Sequence, residues 1–175
     1  LIGVLIEAFA PRASRHTSQL FITVAALVTS FAALMQVRTQ SSADAAMGSV
    51  AFDGAGVLLQ ASILIIALLS VFLIADQENF TALPAAVPGS LEERESLQLD
   101  LRVTEVYPLT LFAVAGMLLF PVSTDLITLF VALEVLSLPL YLMAGLSRRR
   151  RLMSQEAALK YFLLGAFSSA FFLFG

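Results

Sequence analysis

Long apolar runs separated by short polar segments dominate the chain. A helix needs about 20 apolar residues to cross the hydrocarbon core of a bilayer. Five runs have about that length, and a shorter apolar stub precedes them. The predicted spans are 1–10 (in part), 17–37, 55–75, 106–124, 126–147 and 154–175. Because both ends of the chain lie inside apolar runs, the pattern predicts a fragment of an all-α, polytopic transmembrane helix bundle.

The composition supports a membrane protein and argues against several kinds of partner and cofactor. The chain is 59% hydrophobic and 13% charged, whereas soluble domains average about 45–50% and about 25%. A net charge of −3, with no basic cluster interleaved with aromatics, argues against nucleic acid as a partner and leaves the lipid bilayer. These residues include no Cys and one His, so they hold no thiolate-bound iron–sulfur cluster and no haem ligated by two histidines. We expect no cofactor and no metal in this chain.

Arginines in the loops predict the orientation of the spans. Eight lie on one set of alternate loops, within 11–16, 77–104 and 148–153, and only Arg38 lies on the other set. Cytoplasmic loops carry the excess of Lys and Arg, so the three Arg-rich loops are predicted to be cytoplasmic. The longest, 77–104, is expected to be mobile, with at most one amphipathic turn near residues 91–101.

Glu134 is an acidic residue near the middle of a predicted span. It lies eight residues after Leu126 and twelve before Leu146, about 12 and about 18 Å from the two ends. An ionisable group at such a depth costs roughly 2.5–3.5 kcal/mol on insertion scales and is a functional candidate. Pro139 offers no N–H to the carbonyl of Val135, which leaves a site for water nearby. The residues favour a proton-relay glutamate; the alternative is a neutral Glu hydrogen-bonded within the bundle.

Lys160 is the second charged residue in a span, and Glu156 lies one helical turn before it. One interpretation is a lysine of a proton path with Glu156 beside it; the other is an interfacial ion pair. Depths of about 18 Å for Glu134 and about 9 Å for Lys160 make a direct bridge between them poor. The partner of Glu134 is therefore expected to be reached through water or to lie beyond Gly175.

Two segments carry a resemblance to a known family: LFVALEVLSLPLY at 129–141 and EAALKYFLLGAF at 156–167. They closely resemble subunit N of bacterial NADH-quinone oxidoreductase (respiratory complex I), one of its antiporter-like, proton-translocating subunits. The resemblance is strong over residues 126–175 and weaker upstream. The 77–101 segment is longer than the family pattern, so nothing is carried over there.

The resemblance implies a fold of about fourteen helices, with two inverted repeats that carry proton half-channels. Residues 1–175 would be the N-terminal part of that single membrane domain. Glu134 matches the glutamate of the fifth helix that pairs with a lysine of the seventh. Lys160 matches a lysine of the sixth helix, and Glu156 matches the acid beside it. The other lysines of the path would lie past Gly175.

The function that this resemblance implies is proton pumping coupled to quinone reduction elsewhere in the complex, through a buried Glu/Lys/water path. The chain would be a non-redox subunit of a translocase in the bacterial plasma membrane. FMN, iron–sulfur clusters and quinone would belong to other subunits, and the partners would include neighbouring antiporter-like subunits. Two alternatives stay open: a subunit of a multi-subunit sodium/proton antiporter, and a non-transporting membrane scaffold.

Overall fold

The structure, a computed structural model, describes residues 2–9, 11–37, 43–76, 90–91, 104–146 and 151–175. Most of the predicted loop 77–104, together with residues 38 and 148–150, lies outside these residues. Within the described part, the chain is a helical bundle with one small β-hairpin. Its six α-helices are α1 (Ile2–Phe9), α2 (Arg12–Val37), α3 (Gly54–Ala75), α4 (Val106–Leu119), α5 (Leu126–Leu146) and α6 (Arg151–Phe174).

Four helical stretches are long and apolar enough to cross a membrane: Ser14–Val37, Gly54–Ala75, Leu126–Leu146 and Ser154–Phe174. The chain is therefore a membrane protein. Helix α4 is apolar but shorter, and a single 3₁₀ turn, Phe120–Val122, extends it. Pro121 lies in that turn, and because proline has no N–H it cannot continue the α-helical hydrogen bonding.

Apolar side chains from three helices form the core. They are Leu27 and Leu34 of α2, Val57, Leu64, Ala67 and Val71 of α3, and Tyr107 and Val114 of α4. Helix α5 packs on the other side of α4, and α6 packs on α5. The contact of α4 with α5 is close at Gly116, where an added Cβ would lie 2.4 Å from the main-chain nitrogen of Leu136.

A β-hairpin links the ends of α2 and α3. Strand β1 (Ala43–Ala45) pairs antiparallel with β2 (Val50–Phe52), and a 3₁₀ turn, Ala46–Gly48, joins the strands. The hairpin contacts the turn between α4 and α5, where the Thr124 N–H donates to the Ser49 carbonyl at 3.0 Å. The α2–α3 and α4–α5 connections therefore lie at the same end of the bundle, as the alternation of loops requires.

Candidate functional site

Glu134 lies in the middle of α5, on the face that packs against α6. It is two helical turns from Tyr141, whose ring makes edge-on contacts with Tyr161 at 4.8 Å and Phe162 at 5.8 Å between centroids. Residues seven apart in a helix share a face, so Glu134 faces α6 as Tyr141 does. Its side chain is half-buried. Helix α5 runs through the buried Pro139 without interruption.

The Glu134 carboxylate has no hydrogen bond or ion pair with any residue that the structure describes. Its main chain does make such a contact, because the Ser137 hydroxyl donates to the Glu134 carbonyl at 3.4 Å. Half-buried carboxylates are normally paired or hydrogen-bonded. The side chain therefore has its full acceptor capacity available to water or to a group outside the described residues.

Small residues let α6 approach α5 along this face. The Ser154 hydroxyl donates to the Ala144 carbonyl at 2.8 Å, and an added Cβ at Gly165 would overlap the hydroxyl of Tyr141. Ser169, one turn further along α6 from Gly165, is also buried. Gly165 and Ser169 are thus a pair of small residues, four apart, on the face of α6 that packs against α5.

Lys160 and Glu156 form an ion pair on the opposite side of α6. The Nζ to Oε1 distance is 2.5 Å, and the side chains are 73% and 62% exposed. Both residues lie about 200° around the helix from Ala158, which faces α5. The structure therefore does not bring Lys160 to Glu134. Glu134 lies on the face of α5 that packs against α6, and Lys160 lies on the side of α6 that faces away from α5.

A polar cluster joins α1, α2 and the start of α4. It was not predicted from the sequence. The Glu7 carboxylate accepts hydrogen bonds from Arg15 at 3.1 Å, Gln19 at 2.9 Å and Thr104 at 2.8 Å. Gln19 and Thr104 are buried, and the Glu7 and Arg15 side chains are 17% and 23% exposed. A carboxylate with several charged and polar donors is held firmly. The four-residue spacing of Arg15 and Gln19, which places both on one face of α2, was the available signal in the sequence.

His16 extends this polar end of the bundle. Its Nε2 lies 2.9 Å from the Tyr107 hydroxyl, and the two rings meet edge-on at 5.5 Å. The end that carries Glu7, Arg15 and His16 is opposite the hairpin. Among the residues that the structure describes, no group of three or more His, Cys, Asp or Glu side chains is placed to hold a metal ion.

Two aspartates cap helices at the hairpin end of the bundle. Asp53 accepts a hydrogen bond from the Gly56 N–H at 2.6 Å at the start of α3. Asp125 accepts from the main-chain N–H and the hydroxyl of Thr128, both at 2.7 Å, at the start of α5. These bonds lower the pKa of Asp125 below its ordinary value. Both side chains have a structural role.

Comparison with known proteins places the chain in a family. A family model described as NADH:quinone oxidoreductase/Mrp antiporter, TM, matches residues 123–175. NADH-quinone oxidoreductase subunit N of Acidothermus cellulolyticus is 52% identical over 99% of this chain and 34% of its own length. Subunit N 3 of Streptomyces griseus is 48% identical over 100% of this chain and 34% of its own length. The chain thus spans about a third of the length of these relatives.

A solved structure agrees with this similarity. A chain in the structure of respiratory complex I from Thermus thermophilus with bound aureothin is 33% identical and superposes with a TM-score of 0.65. The match covers 91% of this chain and 30% of that one. The helical bundle described here is therefore the fold of the corresponding part of a complex I subunit, and the predicted fold class is confirmed.

Proposed function

Because the chain belongs to the family of NADH-quinone oxidoreductase subunit N, we propose that it forms part of a membrane subunit that translocates protons. The chain corresponds to about a third of such a subunit. Quinone reduction elsewhere in the complex drives the proton movement. FMN, iron–sulfur clusters and quinone belong to other subunits, so this chain moves protons rather than electrons. Its partners are the other membrane subunits, including neighbouring antiporter-like ones.

The observation that carries the proposal is the half-buried Glu134 carboxylate, in mid-helix and without a donor among the described residues. In the proposed path this carboxyl group accepts a proton and passes it on as a nearby positive charge moves. A lysine beyond Gly175, or water that links to one, supplies that positive charge. Moving the charge back and forth loads and unloads Glu134.

Lys160 also takes part in the proton path, from the face of α6 that points away from α5. Its ion pair with Glu156 is exposed on this part of the chain, and charged groups within a span are tolerated where they face protein or water. In the full subunit this face packs against further protein, where the same lysine can exchange Glu156 for another acid. Lys160 and Glu156 are thus assigned to a step of the proton path that is separate from Glu134.

The distribution of arginines assigns each end of the bundle to one side of the membrane. The end that carries Arg15 is assigned to the cytoplasm, and the hairpin end to the outside of the bacterial plasma membrane. Glu134 then lies between the two surfaces, with Arg151 at the start of α6 on the cytoplasmic side.

A second candidate function is sodium/proton antiport, because the matching family model covers Mrp antiporters as well. The test is proton uptake by inverted membrane vesicles that contain the full-length subunit, driven first by NADH and then by a sodium gradient. Wild type is compared with Glu134→Gln and with Glu105→Gln, an exposed carboxylate at the start of α4, after assembly is checked on a native gel.

NADH-driven uptake that Glu134→Gln lowers and Glu105→Gln preserves is the expected result. Glu134-dependent uptake driven by the sodium gradient alone would instead establish the antiporter. Uptake that is insensitive to Glu134→Gln under both conditions would leave this chain a scaffold without a transport role.

A further inference from the structure

Two buried oxygen atoms on one face of α2 have no hydrogen-bond partner among the described residues. They are Oε1 of Gln19 and Oγ1 of Thr23. Both residues are 0% exposed, and they lie one helical turn apart. Since the large majority of buried polar atoms in proteins are hydrogen-bonded, each of these two oxygens is expected to have a partner.

The orientation of the Gln19 amide is fixed by its nitrogen. Nε2 donates to the Gly3 carbonyl at 2.7 Å and to the Glu7 carboxylate at 2.9 Å. Rotating the amide by 180° would place its oxygen against these two acceptors. Oε1 must therefore face away from Glu7 and accept a hydrogen bond from something else.

The surroundings of Gln19 Oε1 offer no donor. An added Cβ at Gly3 would lie 3.2 Å from this oxygen and 3.4 Å from the Cβ of Pro108. The oxygen is thus at the junction of α1 and α4, lined by a glycine and a proline. Pro108 has no N–H to donate.

The Thr23 hydroxyl is also oriented unusually. Four other helical hydroxyls, those of Thr29, Ser62, Ser70 and Thr110, donate to the carbonyl four residues earlier at 2.7–2.9 Å. This is the ordinary way in which Ser and Thr are satisfied within a helix. Thr23 makes no such bond, so its hydroxyl can serve a partner outside its own helix.

We propose that Gln19 and Thr23 bind a buried water molecule between α1, α2 and α4. The water donates one hydrogen to Gln19 Oε1 and hydrogen-bonds with the Thr23 hydroxyl. Side chains one turn apart are about 5–6 Å from each other, a separation that one water can bridge. Because both residues are fully enclosed within this chain, neither a lipid nor another subunit can reach them. An unpaired buried acceptor costs more than ordering one water.

The site is separate from Glu134 and does not depend on the proposed proton path. It extends the polar cluster of Glu7 and Gln19 inward to Thr23, eleven residues and about 16 Å along α2 from Arg12. The first helices of the chain therefore have a hydrated polar interior rather than a dry one.

The test is a cryo-EM map of the assembled complex, with the full-length subunit, at a resolution that shows ordered water. Three variants accompany the wild type: Thr23→Val, which removes the hydroxyl at constant shape, Thr23→Ser, which keeps it, and the control Thr29→Val. We expect density at hydrogen-bond distance from both oxygens in wild type, Thr23→Ser and Thr29→Val, and its loss in Thr23→Val. The thermal midpoint of Thr23→Val should also be lower than that of Thr29→Val.

Two results would overturn the proposal. One is a wild-type map without this density in which the Thr23 hydroxyl bonds directly to the side-chain or main-chain carbonyl of Gln19. The other is density that persists unchanged in Thr23→Val. If Thr23→Val does not assemble, the maps of the wild type and of Thr23→Ser decide the question.

Discussion

Replacing Gly116 by alanine is expected to separate α4 from α5 and to destabilise the bundle. The new Cβ would lie 2.4 Å from the main-chain nitrogen of Leu136 and 2.8 Å from the carbonyl oxygen of Ala132, whereas ordinary contacts are 3.4–4 Å. The helices must therefore move apart by about 1 Å to restore normal contact in a close-packed interior. Overpacking a core costs typically about 1–3 kcal/mol, and we expect the upper end, because main-chain atoms have no other rotamer to adopt.

The assay is the thermal midpoint and the yield of the assembled complex, measured on Gly116→Ala and on two matched variants. Gly54→Ala has nothing within 4 Å of its new Cβ and should be as stable as wild type. Gly165→Ala meets the Tyr141 hydroxyl, which can rotate away, so its loss should be intermediate. Finding Gly116→Ala as stable and as abundant as Gly54→Ala would refute the close approach of α4 and α5.

Two further predictions concern the polar ends of the bundle. Glu7→Ala should lower the stability of the complex by about 2–3 kcal/mol, because it leaves Arg15, Gln19 and Thr104 without their acceptor; a midpoint equal to wild type in a thermal melt would contradict this. Asp125 has a lowered pKa, so its contribution is present above its ordinary value near 3.8 and is lost as the pH falls through the lower folded value. When thermal midpoints are measured from pH 6 down to about pH 3, the midpoint of wild type should fall more steeply below about pH 4 than that of Asp125→Asn. Parallel curves for the two proteins would argue against the prediction.

The sequence predicted the parts of this molecule that depend on local pattern. The apolar runs marked the helices, and Asp125 directly precedes one of these runs, which is the usual position of a helix cap. Helix α4 ends at Leu119, earlier than its apolar run, because Pro121 follows within the next turn. The hairpin at 43–52 was not predicted, because its residues alternate too weakly to indicate strands.

Contacts between distant parts of the chain were not predictable in the same way. The Glu7 cluster needs Thr104, which is 97 residues away, and one sequence contains no signal for such a pairing. The depths of Glu134 and Lys160 correctly argued against a direct bridge. That they lie on different faces of the α5–α6 pair became clear only from Tyr141 and Ala158, which define the packed face.

The number of protons taken up per NADH oxidised tests the role of Glu134 most directly. It is measured in inverted vesicles with the full-length subunit, for wild type, Glu134→Gln and Glu105→Gln, with NADH oxidation recorded in the same sample. We predict a lower ratio for Glu134→Gln in a fully assembled complex and an unchanged ratio for Glu105→Gln. A Glu134→Gln complex that assembles and keeps the wild-type ratio would contradict the assignment of Glu134 to the proton path.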